Sequence, residues 1–416
     1  MKFDKKSRSI LIIGVLVIII LAQFLPTVSR SYTNSDSPAH FANALLVTLD
    51  KEVSYPIDIF HYRFYEKFRV SGIASVSVDA HLPLPPMYLF YLYPIFKILD
   101  PLNALAIMYF SMALFSGLNA LIIYLWVKRE MDDHSAAIIS AFIFGIMPIG
   151  YMFFAGGDFP QIMGQLFVLI SIFSVSTLYK KIMNIKIFIL LTAIITVSLL
   201  VHLGSTVGLL SILFVLFVYH LYKIKMESKK ESSEDQKGFF KILFKEIHGR
   251  RVILFGASVL LAFIISYFSY YHYFIDLFIS ASTKSSTGSF LIPQIDSLYQ
   301  LIRSYWIFVI FIPLSWKLID KNKDFRAYIY SWFLVSLIYF VINVEIRYVY
   351  LIYQPIAISS GIFLNKYLED SKYRKYVIYF IIIIFIATLI YSSTWWTYFA
   401  KTNYSDKIIN VMTNIR

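Results

Sequence analysis

Leu84-Pro85-Pro86-Met87-Tyr88-Leu89-Phe90-Tyr91-Leu92-Tyr93-Pro94-Ile95-Phe96-Lys97-Ile98-Leu99 is an apolar, aromatic run whose placement decides the sidedness of everything after it. As a helix rising about 1.5 Å per residue, it covers about 24 Å of a hydrocarbon core about 30 Å thick. Length alone does not settle whether it spans, because the apolar segment 304–319 is equally short. The basic residues settle it. With 84–99 on the outer surface, the spans are 10–26, 103–127, 135–155, 160–178, 185–201, 205–222, 252–274, 304–319, 327–342, 348–363 and 376–393. That arrangement places 26 of the 38 Lys and Arg residues inside and 12 outside. Letting 84–99 span inverts all later segments and leaves 11 inside against 27 outside. Cytoplasmic loops carry the Lys and Arg excess, so 84–99 is expected to be an interfacial helix on the outer face, tilted or flat and roofing a cavity.

Composition agrees with this. The 416 residues are 58 % hydrophobic and 18 % aromatic, with a mean hydropathy of +0.68, where soluble domains hold about 45–50 % apolar residues. The expected class is an all-α polytopic membrane protein with about 11 transmembrane helices. The net charge of +13 follows from basic cytoplasmic loops, so no nucleic-acid partner is needed. There is no cysteine, which excludes disulfides and thiolate metal sites. Lys2, Lys5, Lys6 and Arg8 precede the first apolar run, which has no small-residue cleavage site after it. It reads as an uncleaved first helix with its start in the cytoplasm of a cell whose plasma membrane it crosses.

The organisation expected is a transmembrane domain over 1–395 and a short outer tail over 396–416. Within the domain, 27–102 forms a long, partly helical first extracytoplasmic loop and 223–251 a flexible cytoplasmic linker carrying the charged patch from Lys229 to Asp235. No internal repeat of the kind common in secondary transporters is visible.

Ionisable and polar groups collect at the outer helix ends. Ser35-Asp36-Ser37-Pro38-Ala39-His40 follows the first helix directly. If Pro38 opens a helix, Asp36 stands at its cap and His40 in its first turn, able to share one small volume. An ordinary N-cap beside a surface histidine has the same pattern. Gly156-Gly157-Asp158-Phe159-Pro160-Gln161 is a tight turn presenting a carboxylate at a helix start, and also a plain hairpin between helices. His202, His272 and Glu345-Ile346-Arg347-Tyr348 complete the outer set, and ionisable groups between apolar segments are costly enough to be functional or paired.

The order of these parts resembles the GT-C superfamily of membrane glycosyltransferases, between Ile10 and Leu364. The likeness rests on Asp36 after the first helix, His81-Leu82-Pro83-Leu84-Pro85-Pro86-Met87-Tyr88 leading into the aromatic helix, Asp158 in a second loop, and Arg347-Tyr348 followed by Gln354-Pro355-Ile356-Ala357. Asp-Ser-Pro-Ala-His and Gly-Gly-Asp-Phe-Pro-Gln are similar to uncharacterised prokaryotic members. The resemblance implies an enzyme, a hexosyl- or pentosyltransferase, that moves a sugar from a polyprenyl-phosphate donor to a glycan, lipid or other hydroxyl acceptor on the outer face in cell-envelope glycan synthesis. The first loop lacks the Asp-x-Asp of oligosaccharyltransferase-like members and no sizeable soluble domain follows the last span, so transfer to protein asparagine is not expected.

In that reading Asp36 is the base and Arg347 the phosphate clamp, since guanidinium matches phosphate oxygens bidentately. His40 and Asp158 complete the catalytic set, and Asp36 with Asp158 offers oxygen ligands to a divalent cation, Mg or Mn. His81, Tyr88, Gln161, His202, His272, Glu345 and Tyr348 are the expected substrate contacts. Asp36 and Asp158 should approach within roughly 10 Å, with Arg347 one sugar-phosphate length away. The alternative is a lipid or glycan translocator that performs no chemistry.

Overall fold

The computed structural model describes residues 5–28, 86–156, 159–231, 243–244, 246–273, 306–319, 322–343 and 351–400. Among them every regular element is helical. The first is α1 (Lys5–Val28), followed by α2 (Pro86–Ile98), α3 (Pro101–Met131), α4 (His134–Ile146), α5 (Pro148–Gly156) and α6 (Phe159–Leu178). Then come α7 (Ile185–Leu199), α8 (Leu203–Glu231), α9 (Ile247–Ser269), a short α10 (Phe311–Ser315), α11 (Lys323–Asn343), α12 (Tyr353–Glu369) and α13 (Ser371–Ala400).

Among the described residues, five helices are long and apolar enough to cross a membrane, at Asn103–Met131, Phe159–Lys181, Gly204–Met226, Ile247–Ser269 and Ser371–Tyr391. Shorter apolar helices lie at Ser9–Leu25, His134–Ile146, Ile185–Leu199 and Phe308–Ile319. Large apolar side chains such as Leu260, Phe268 and Ile383 stand exposed on the outside of the bundle. That pattern suits a hydrocarbon surround, in which a helix satisfies its own backbone.

Several boundaries differ from the sequence expectation. The segment expected as one span over 135–155 is two helices, because Met147 is extended (φ −70, ψ 135) ahead of Pro148, where proline disfavours the helical region for the preceding residue. The described part of the expected 304–319 span is not a regular α-helix but 3-10 turns on either side of α10, with Pro313 inside. The expected linker over 223–251 is helical at both ends, since α8 runs to Glu231 and α9 starts at Ile247. The last helix passes the expected boundary at 395 and reaches Ala400.

Small residues set the helix crossings, as expected where apolar surface gains nothing by leaving lipid. α12 packs on α4 with Gly361 so close that a Cβ there would stand 2.4 Å from the backbone of Ser140. Ser140 Oγ donates to Ile358 O at 3.3 Å across the same crossing. Asp133 caps α4 by accepting from the N–H groups of Ser135 and Ala136 and takes a further bond from Asn365 Nδ2 at 2.8 Å, tying the end of α12 to the start of α4. We expect Gly361→Ala to lower stability by about 1–3 kcal/mol, because backbone cannot yield as a side chain can. Gly14→Ala, with nothing within 4 Å of its added carbon, should be neutral or slightly stabilising. Thermal unfolding in detergent distinguishes the two.

The aromatic run forms α2, 13 residues long. It joins α3 across Leu99 and Asp100 and lies alongside the first half of α3, with the Tyr91 and Phe115 rings 5.4 Å apart. Its first turn meets the connection between α7 and α8, where Met87 N–H donates to Leu200 O at 3.2 Å. On the neighbouring helices, Asn119 and Gln165 both lie near Gln354 Nε2. The opposite end of α3 and α6, where Trp126 Nε1 donates to Ser176 Oγ, lies further along the bundle. α2 therefore accompanies about half of α3.

Candidate functional site

The connection Leu200-Val201-His202 turns the chain from α7 into α8, and its polar groups are used locally. The Ser205 N–H donates to His202 Nδ1 at 3.3 Å, and the Ser205 hydroxyl stands 3.2 Å from the same nitrogen. The imidazole therefore caps α8 in place of the usual Ser or Asp, and accepting at Nδ1 puts the proton of a neutral ring on Nε2. His202 O accepts from Thr206 N–H at 2.9 Å.

Thr206 links this turn to the end of α9. Its hydroxyl donates to Leu199 O at 2.6 Å and meets the Tyr271 hydroxyl at 2.9 Å. Tyr271 also donates to Leu199 O. His272, next in the chain, has Nδ1 3.2 Å from Tyr267 O.

α6 closes the corner. Gly164 allows α6 and α8 to touch, because a Cβ there would meet Ser205 Oγ at 2.4 Å and His202 Cβ at 2.9 Å. A Cβ on Gly204 would lie 3.1 Å from His202 Cε1 and 3.8 Å from Gln161 Oε1, so imidazole and amide share one small neighbourhood. Gln161 and Tyr88 are fully buried and His202 is 9 % exposed. Of the site residues expected from sequence, four are described: Tyr88, Gln161, His202 and His272. Gln161 and His202 both flank Gly204, His272 follows Tyr271, which meets Thr206, and Tyr88 follows the residue hydrogen-bonded to Leu200.

A second set of polar groups lies deeper and had not been expected. Gln354 Nε2 approaches Asn119 Oδ1 at 3.4 Å and Gln165 O at 3.5 Å. Gln354 Oε1 and both amide atoms of Gln165 and Gln23 are buried with no hydrogen-bond partner among the described residues. Tyr353 donates to Phe144 O, and a Cβ on Gly150 would touch its hydroxyl at 2.5 Å and lie 3.5 Å from Gln23 Nε2. Leaving a buried amide unpaired costs about 1–3 kcal/mol per group, so these side chains are suited to a polar guest. Neutral amides inside apolar helices were the sequence signal.

Asp36, His40, His81, Asp158, Glu345, Arg347 and Tyr348 lie outside the described residues, and with them the proposed carboxylate pair for a cation. Among the described residues no group of three His, Asp or Glu side chains could hold a metal ion.

No protein-family model matches the sequence, and no curated protein matches it. Solved structures do match. The apo oligosaccharyltransferase of Archaeoglobus fulgidus aligns with 97 % of this chain at a TM-score of 0.58 and 11 % identity. The same organism's archaeal oligosaccharyltransferase AglB, in complex with an inhibitory peptide and a dolichol-phosphate, aligns with 96 % at 0.56 and 11 %. Its complex with Zn and sulfate aligns with 92 % at 0.54 and 13 %. This chain covers 57 %, 56 % and 53 % of those chains, just over half their length. At such identity the likeness is one of fold: an all-helical membrane architecture shared with an archaeal oligosaccharyltransferase.

Proposed function

We propose that this chain is a membrane glycosyltransferase of the GT-C type, moving a sugar from a polyprenyl-phosphate donor to a hydroxyl of a glycan or lipid acceptor. The observation that carries this reading is the fold shared along 96 % of the chain with an enzyme whose structure was solved with a dolichol-phosphate. The polar corner adds chemical support, since amides and hydroxyls pair with sugar hydroxyls, which both donate and accept.

In the proposed reaction Asp36 takes the proton of the attacking hydroxyl while the bond from its oxygen to the anomeric carbon forms. The bond from that carbon to the phosphate oxygen breaks, and the phosphate leaves with its electron pair against Arg347. His40 orients Asp36. Two of the proposed site residues are close in sequence to described ones. Asp158 directly precedes Phe159 at the start of α6, three residues before Gln161. Arg347 is four residues before Leu351, whose side chain fills the space beside Gly208 on α8, and four residues reach at most about 14 Å. A bound divalent cation would stabilise the departing phosphate; Asp36 and Asp158 are the residues proposed to hold it. His81, Glu345 and Tyr348 are proposed to contact the substrate. Eleven spans, a cytoplasmic N-terminus and a site facing outward from the plasma membrane complete the proposal, all resting on the distribution of basic residues.

The translocator alternative requires charged groups along a path through the bundle. Incubating the purified protein with radiolabelled polyprenyl-phosphate sugars separates the two. The proposal expects sugar release or transfer to an added glycan or lipid. Flux of the labelled lipid across a proteoliposome bilayer, without loss of its sugar, would replace it with the translocator.

A further inference from the structure

The far ends of α6, α8 and α9, opposite the His202 corner, enclose a polar cavity of about 60 Å³. Its lining includes Lys180, His220, Lys223, His248, Arg251 and Asp324. The carboxylate is already engaged: Lys223 Nζ reaches its two oxygens at 3.0 and 3.3 Å, and the Tyr219 hydroxyl donates to it at 3.0 Å. Burial pushes Asp324 up, but the hydrogen bond and charge of Lys223 outweigh it and hold the carboxyl below its usual range. The group therefore remains an anion already neutralised by Lys223. Lys180 and Arg251 are left as the uncompensated cations of the lining.

Arg251 is the more telling of the two, since its Nε is buried with no hydrogen-bond partner among the described residues. A buried, unpaired guanidinium nitrogen is costly, and an oxyanion in the cavity would remove that cost. The start of α9 has the same polarity. Glu246 at its N-cap makes no side-chain cap bond and its first turn holds no acid, so the first N–H groups and the helix dipole favour an anion as well. His220 forms the inner wall, stacked 4.2 Å from the Tyr179 ring with Nε2 3.3 Å from the Tyr328 hydroxyl. Exposed Phe244, Ile247, Tyr222 and Met226 border this region; aromatic and apolar residues beside basic ones mark the level where lipid phosphates lie.

We infer that this cavity is an anion site that takes a phosphate group, on Arg251 and Lys180, at the end of the bundle opposite the proposed catalytic corner. Two sources can supply such a group, an anionic lipid headgroup and inorganic phosphate. The full-length protein in nanodiscs of phosphatidylcholine with graded phosphatidic acid, read by native mass spectrometry, tests the first. Inorganic phosphate titrated in detergent, read by thermal unfolding, tests the second. One phosphate per protein is expected from at least one source. Arg251→Gln and Lys180→Gln should each weaken it about tenfold or more, as loss of a charge-assisted bond implies. Lys180 is exposed, so its variant should fold even if Arg251→Gln does not. Lys181→Gln, equally exposed but outside the lining, should bind as wild type. Retention of lipid alone identifies the headgroup as the ligand, and a response to inorganic phosphate identifies the free ion. Failure of both probes, or equal losses in the Lys180 and Lys181 variants, would overturn the site.

Discussion

Asp36→Asn is expected to reduce sugar transfer by about 10²–10⁴-fold, the range associated with loss of a general base. The substitution keeps shape and volume, removes the capacity to accept the acceptor's proton and weakens Asp36 as a cation ligand, while Asp158 and Arg347 remain. Donor binding should persist, so the loss should appear in kcat with KM for the donor nearly unchanged. If Asp36 only capped a helix, asparagine would replace it almost without cost, since Asn and Asp are equivalent caps. A variant that still transfers sugar at the wild-type rate would remove Asp36 from the chemistry.

Arg347→Ala is expected to act on the other half of the reaction. A guanidinium bonded to phosphate contributes about 1.5–3 kcal/mol as a charge-assisted hydrogen bond, so KM for the polyprenyl-phosphate donor should rise about 10–100-fold. Arg347→Lys should recover part of that, keeping the charge and losing the bidentate geometry. Competition by polyprenyl phosphate without a sugar is the discriminating measurement. Its inhibition constant should rise in parallel with KM in Arg347→Ala and stay constant in Asp36→Asn. An unchanged constant in Arg347→Ala would place the phosphate elsewhere.

What could be read from the sequence follows the physics of each signal. Long apolar helices such as α3, α6 and α9 declared themselves, because about 20 consecutive apolar residues serve few purposes but crossing a bilayer. The break at Met147 was missed because hydropathy runs straight through Pro148, although the rule for residues before proline was available. The helical ends of the 223–251 segment are not legible because its charged patch, Lys229 to Asp235, has the composition of a flexible linker. Lys223 instead pairs with Asp324 at 3.0 Å on α11, which ties that part of α8 to the bundle. Within the site, His202 stood out as an ionisable residue between apolar runs, whereas Gln23, Gln165 and Asn119 did not. Neutral amides leave the charge count untouched and scarcely disturb a hydropathy window, yet they form the deeper polar set around Gln354. The approach of α6 to α8 around His202 depends on Gly164, where a Cβ would meet Ser205 and His202, a contact between distant segments that no local pattern encodes.

The direct test is where the donor's phosphate rests. A polyprenyl phosphate carrying a photoreactive group beside its phosphate should, on irradiation with the purified protein and peptide mapping, label 345–351 together with 86–91, 159–165 and 199–206, around Arg347, Tyr88, Gln161 and His202. Labelling confined to 179–183, 220–226 and 246–251, at the opposite end of the same helices, would contradict a catalytic site at the His202 corner.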